Sequence, residues 1–188
     1  MEAFLTSFAI VAVAEIGDRT QLLGLMLAAQ FRRPVPIIAG IFLATLANHA
    51  LAALAGAWIG DLLSPGLLRW GLGLSFIAMA VWTLVPDRLS EEAAAPPRHG
   101  AFLATLIGFF LCEIGDKTEI ATAALAARFE LLLAVILGTT SGMMLANVPT
   151  VLFGHYAGRR VGAGAARYFA AAIFAAEAAL TFAGHGLM

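Results

Sequence analysis

Glu15-Ile16-Gly17-Asp18-Arg19-Thr20 returns 98 positions later as Glu113-Ile114-Gly115-Asp116-Lys117-Thr118, and each copy sits inside an otherwise apolar stretch. An ionisable side chain at the centre of a bilayer costs about 3 kcal/mol on insertion scales, so six of them facing lipid would cost roughly 18 kcal/mol. Such side chains have to face one another, water or an ion. Two matching acidic motifs, one in each half of a chain, read first as a cation site at a repeat interface.

The rest of the composition puts those motifs in a membrane. The 188 residues are 61% hydrophobic and 12% charged, with a mean hydropathy of +0.91, whereas a soluble domain carries about 25% charged residues. A net charge of −1 offers no basic surface for nucleic acid. The single Cys112 excludes an internal disulfide and a CxxC redox pair. The apolar run from Ala3 follows no basic segment and is too long for a signal peptide, so it is expected to remain as a span.

Apolar runs of about 20 residues or more fall near 3–30, 35–60, 66–85, 101–127, 131–158 and 165–187. The simplest expectation is an all-α integral membrane protein with six transmembrane helices. Polar or proline-containing breaks separate the runs, and the segment 86–100, rich in charge, alanine and proline, reads as a linker. It divides a first three-helix repeat, 1–85, from a second, 101–188. The halves align without a gap, pairing Phe31 with Phe129, Gly40 with Gly138, Gly56 with Gly154 and Gly60 with Gly158. An odd number of spans per copy makes the two repeats inverted.

Arginine placement orients the chain. Arg32, Arg33, Arg88, Arg98, Arg159, Arg160 and Arg167 cluster at the odd-numbered loops, while the even loops hold chiefly Arg128, with Arg69 near a helix start. The positive-inside rule then predicts a multi-pass protein of a bacterial-type inner membrane, with both termini outside and the linker cytoplasmic.

As chemistry, Glu15 and Asp18 on a helix would project from one face, as would Glu113 and Asp116. Four acids suit a hard divalent cation such as Mn2+ or Ca2+. Gly17 and Gly115 permit a kink or local unwinding that frees carbonyl ligands. Arg19 and Lys117 can neutralise the acids when no metal is bound, Thr20, Thr118 and Gln21 supply neutral oxygens, and Glu119 adds a fifth acid opposite Gln21. A single motif could equally be a structural ion pair. The matched pair favours a shared site.

Asn48 and His49 lie mid-span, with His49 aligned to Asn147; the three could extend the coordination or relay protons, or simply bond between helices. Ser141, with Thr139 and Thr140, is a candidate for the pathway lining. Glu177 stands alone in the last run, opposite Met79, as either a proton carrier or a partner for a base. Trp58, Trp70, Trp82 and Tyr156 read as interfacial anchors.

Two copies of E-x-G-D-[KR]-[TS], one per half, resemble the signature of the small Mn2+/Ca2+ exchanger family that includes bacterial MneA-type manganese exporters and the Golgi Gdt proteins. The run Gly138 to Pro149 and the segment Asn48-His49-Ala50 are also similar to that family. The resemblance implies cation:proton antiport, with Glu15, Asp18, Glu113 and Asp116 as the metal-binding acids and no resident cofactor. Glu119 stands where the family pattern has Gln. Six residues from Glu113, it is expected to flank the site and handle protons rather than ligate.

Since carboxylates must shed protons to bind metal, loading and protonation oppose each other, which in outline is antiport. An inward proton gradient makes export the natural direction. The expected partners are a divalent cation, protons and membrane lipid, with alternating access around an acidic midplane site. The rival readings are an acidic-ring cation channel and an intramembrane metalloenzyme, although no HExxH or serine-nucleophile pattern accompanies the acids.

Overall fold

The computed structural model describes residues 1–85, 100–129, 131–153 and 163–183. Most of the linker, together with Arg88, Arg98, Gly154, Tyr156, Gly158, Arg159 and Arg160, therefore lies outside the described residues, as does the side chain of Arg167. Among the described residues the chain forms eight helices and no strand. They are α1 (Glu2–Ala14), α2 (Arg19–Phe31), α3 (Pro34–Leu62), α4 (Pro65–Thr83), α5 (Ala101–Glu113), α6 (Lys117–Phe129), α7 (Leu132–Phe153) and α8 (Ala163–Phe182).

The first and fourth apolar runs are each two helices, where hydropathy alone predicts one. Each of the four pieces has 13 residues, about 20 Å at 1.5 Å per residue, and falls short of a hydrocarbon core about 30 Å thick. By contrast α3, α4 and α7 are long and apolar enough to cross a membrane. Local chemistry sets the ends: Pro34 opens α3, Ser64 caps α4 ahead of Pro65, and Arg32 closes α2 in the left-handed region at φ 52°.

Large apolar side chains face outward, while charged and amide side chains are buried among the apolar core. Leu51, Leu54, Leu74, Ile77, Leu103, Ile107, Leu137 and Leu145 are exposed, whereas Glu15, Asp18, Asn48, His49, Glu113, Asp116, Lys117 and Asn147 are buried. Lipid is the solvent this arrangement suits. Trp58 and Trp82 are exposed in the last turns of α3 and α4, as interfacial anchors require. Trp70 also packs on Phe182, with ring centroids 5.1 Å apart.

Glycines set how the halves meet. A Cβ added to Gly40 of α3 would lie 2.8 Å from Thr105 Cβ, 2.9 Å from Phe102 O and 3.1 Å from Leu106 N of α5. One added to Gly138 of α7 would lie 2.5 Å from Phe4 O, 3.0 Å from Ser7 Cβ and 3.2 Å from Phe8 N of α1. Each residue in the second set is the first set's counterpart at the offset of 98. The same helix contact is thus made twice, with the halves exchanged.

Candidate functional site

The duplicated motif is a place where a helix stops and another starts. Glu15 closes α1, Gly17 follows at φ 80°, and Asp18 is extended, with its side chain accepting from Thr20 N at 3.3 Å to cap α2. Gln21 reaches back and accepts from Gly17 N at 2.8 Å. In the second half Glu113 ends α5, Gly115 has φ 75°, Asp116 accepts from Thr118 N at 3.3 Å, and Glu119 accepts from Gly115 N. Asp-x-x-Gln and Asp-x-x-Glu are variants of the capping box. The breaks also place the N-termini of α2 and α6 beside the acids, where the helix dipole favours negative charge.

This geometry corrects the expectation that each Glu–Asp pair shares one helical face. Glu15 and Glu113 terminate helices, and Asp18 and Asp116 begin the next ones. Glycine at positive φ makes the reversal, since a side chain there would strain the backbone.

The acids converge through contacts related by exchange of the halves. Arg19 Nη2 lies 3.1 Å from Asp116 Oδ1, and Lys117 Nζ pairs with Asp18 Oδ1. Thr118 Oγ1 is 3.2 Å from both Glu113 Oε2 and Asp116 Oδ2. Thr20 Oγ1 likewise bridges Glu15 Oε1 and Asp18 Oδ2. Glu15 is within Coulombic reach of Asp18, Glu113 and Asp116. Among the described residues, however, no three Asp, Glu, His or Cys side chains are grouped to hold a metal ion. The aspartates are held by basic groups in this arrangement.

Around this centre, Asn147 Nδ2 donates to Glu15 Oε1 at 3.0 Å and to Met143 O at 3.2 Å. Gln21 Nε2 donates to Ala146 O at 3.0 Å, tying α2 to α7. Glu15 Oε2, Glu113 Oε1, Asn48 Oδ1 and Asn147 Oδ1 are among the buried oxygens that have no hydrogen-bond partner within the described residues, together with the hydroxyls of Ser7, Thr45, Thr83 and Thr140. An oxygen-rich, desolvated set of this kind fits a hard cation better than a soft one.

Other candidates fall outside the cluster of bonds. Asn48 Nδ2 donates to Phe110 O at 3.1 Å, an interhelical bond from α3 to α5. His49 is buried, with neither ring nitrogen bonded. Ser141 is half-buried on α7, and the Thr139 hydroxyl turns back to Val135 O of its own helix at 2.9 Å. Glu119 is half-buried at the break, occupied with Gly115 N. Glu177 pairs with Arg128, whose guanidinium carbon lies 4.8 Å from the Phe129 ring centroid. That contact joins α8 to α6 across 49 residues and has no counterpart in the first half, where Gln30 and Met79 occupy the matching positions.

Comparison with known proteins agrees with this chemistry. The family model described as divalent cation/proton antiporter GDT1 matches residues 3–91 and 101–188, one segment for each copy of the motif. A protein of Vibrio cholerae serotype O1 (strain ATCC 39541 / Classical Ogawa 395 / O395), named "Putative manganese exporter", is 52% identical over 175 residues, covering 93% of this chain and 87% of the relative. No solved structure matches the chain. Its described residues are all-helical, its core is acidic, and its family moves ions rather than catalysing a reaction, so the metalloenzyme alternative falls away. The chain is a membrane cation transporter and belongs to the divalent cation/proton antiporter GDT1 family.

Proposed function

We propose that the protein exports Mn2+ across a bacterial-type plasma membrane in exchange for protons, by alternating access to one site at the interface of two inverted three-helix repeats. In this reading α1 with α2, and α5 with α6, each make one interrupted passage, so that eight helices form six spans. Residues 1–85 and 101–188 are the repeats, joined by the cytoplasmic linker 86–100. The observation that carries the proposal is the exchange-related pair of ion pairs, Arg19 with Asp116 and Lys117 with Asp18. A structural ion pair needs no counterpart. A site shared between repeats does.

Charge balance favours two protons per divalent cation in this reading. Two aspartates are matched by Arg19 and Lys117, leaving Glu15 and Glu113, each with one unbonded buried oxygen. Either two protons or one divalent cation balances two glutamates. Exchanging one load for the other leaves the buried charge constant, which avoids the cost of a net charge in the membrane interior. Ligation needs bare carboxylates, so protons entering from outside discharge the metal there. Glu15, Asp18, Glu113 and Asp116 are the ligands in this reading. Asn147 Oδ1 and the released backbone at the breaks supply neutral oxygens.

The choice of Mn2+ over Ca2+ rests on the name of the Vibrio relative. Uptake of Mn2+, Ca2+ and Mg2+ into proteoliposomes tests it. Preference for Mn2+ is expected, and a preference for Ca2+ would overturn the assignment of cargo.

A further inference from the structure

His49 is the counterpart of Asn147, and Glu113 of Glu15, at the offset of 98. Asn147 Nδ2 donates to Glu15 Oε1 at 3.0 Å. The equivalent bond in the other half is missing among the described residues: neither His49 nitrogen has a partner, Glu15 accepts from Thr20 and Asn147 whereas Glu113 accepts from Thr118 alone and keeps Oε1 unbonded, and both His49 and Glu113 are fully buried. A donor and an acceptor orphaned at symmetry-matched positions are costly to bury.

The surrounding contacts of the two halves match only in part. Along α3 and α5 the register follows that of α7 and α1 at Gly40 and Gly138. Asn48, beside His49, reaches Phe110 O, one turn before Glu113. The correspondence fails at the next turn. A Cβ added to Gly142 would lie 2.5 Å from Phe8 O and 2.9 Å from Ala12 N. The matching residue on α3 is Ala44, buried. Where α7 has no side chain at this turn, α3 has a methyl group.

We infer that His49 donates to Glu113 in the opposite access state, as Asn147 donates to Glu15 in this one, so that the two residues alternate in holding the two glutamates. The inference rests on the alternating-access reading above: if two similar halves open and close in turn, each adopts in one state the contacts the other has in the next. The neutral imidazole N–H is sufficient as the donor. No proton changes hands at His49, which is a positioning residue.

The test compares Mn2+/proton exchange in proteoliposomes for native protein, His49→Leu, His49→Asn and Glu113→Gln, with thermal unfolding of each in detergent. His49→Leu is expected to slow exchange about ten-fold or more, the effect of losing a hydrogen bond to a carboxylate. It should unfold no earlier than native protein, because it removes an orphaned polar group. His49→Asn places on α3 the donor that works on α7 and is expected to regain most of the rate. Native exchange in His49→Leu, equal loss in both His49 variants, or earlier unfolding of His49→Leu would overturn the inference. Glu113→Gln separates the two claims. If it exchanges at the native rate the shared-site reading itself fails, whereas an inactive Glu113→Gln beside a native His49→Leu defeats the role of His49 alone.

Discussion

Arg19 Nη2 lies 3.1 Å from Asp116 Oδ1, and Lys117 makes the reciprocal pair with Asp18, so each half's aspartate is neutralised by a base from the other half. In the proposed site the metal and these basic side chains compete for the same oxygens, so cargo entry would move Arg19 and Lys117 aside and its departure would let them return, keeping the emptied site from being left as bare buried charge.

The two pairs differ in depth, and that difference makes a prediction. The Lys117 side chain is 3% exposed and that of Arg19 30%. Lys117→Gln strands a buried carboxylate and is expected to cost about 3–5 kcal/mol. Arg19→Gln also leaves a buried carboxylate, Asp116, but removes a base that is itself part-exposed, and should cost less, about 1–3 kcal/mol. Unfolding in detergent with and without Mn2+ checks both the order and the rescue, since a divalent cation replaces the missing positive charge.

Substitution of the acids divides them into two classes. Glu15→Gln and Glu113→Gln keep their hydrogen-bonding shape and lack a basic partner to strand, so they should fold normally and lose exchange. Asp18→Asn and Asp116→Asn also lose exchange, but each leaves a base opposite a neutral amide. The aspartate variants are expected to unfold at lower temperature, Asp18→Asn earlier than Asp116→Asn. Normal exchange in any two of the four would remove the shared site.

Glu119 is the next case. Its carboxylate accepts from Gly115 N as the amide oxygen of Gln21 accepts from Gly17 N. The structure thus gives it the task of holding the helix break. Glu119→Gln retains an acceptor and should leave both the rate and the pH profile of exchange near native. Glu119→Ala frees the N–H and should cost about 1 kcal/mol, as loss of a helix cap does. A pH profile displaced in Glu119→Gln would return Glu119 to proton handling.

The division of the first and fourth runs was legible in the sequence at Asp18-x-x-Gln21 and Asp116-x-x-Glu119, which carry the capping pattern, and at Gly17 and Gly115. Hydropathy hid it, because residues on both sides are apolar and a window averages across four polar positions. The acids were readable because the motif occurs twice. The pairing of Arg128 with Glu177 was not, since neither repeat symmetry nor helical spacing links residues 49 apart. Nor could spacing show that Asn147 bonds Glu15 while neither His49 nitrogen bonds Glu113.

Orientation is open to direct labelling. Arginine placement predicts a cytoplasmic linker and external termini. Single-cysteine variants at Ser90 and Met188, both outside the described residues, made on a Cys112→Ala background, report the side. Ser90 should react only with reagent admitted to the cytoplasm, and Met188 with reagent applied outside. Labelling of Ser90 from outside would reverse the inferred direction of export.

The central claim is that a proton gradient drives metal uphill through the site formed by Glu15, Asp18, Glu113 and Asp116. Proteoliposomes with equal Mn2+ on both sides and an imposed pH step, at clamped zero membrane potential, measure it directly. Net Mn2+ movement toward the more acidic compartment, up its own gradient and unaffected by a change in the clamped potential, is the predicted result. Flux that only runs down the Mn2+ gradient and ignores the pH step would contradict the account.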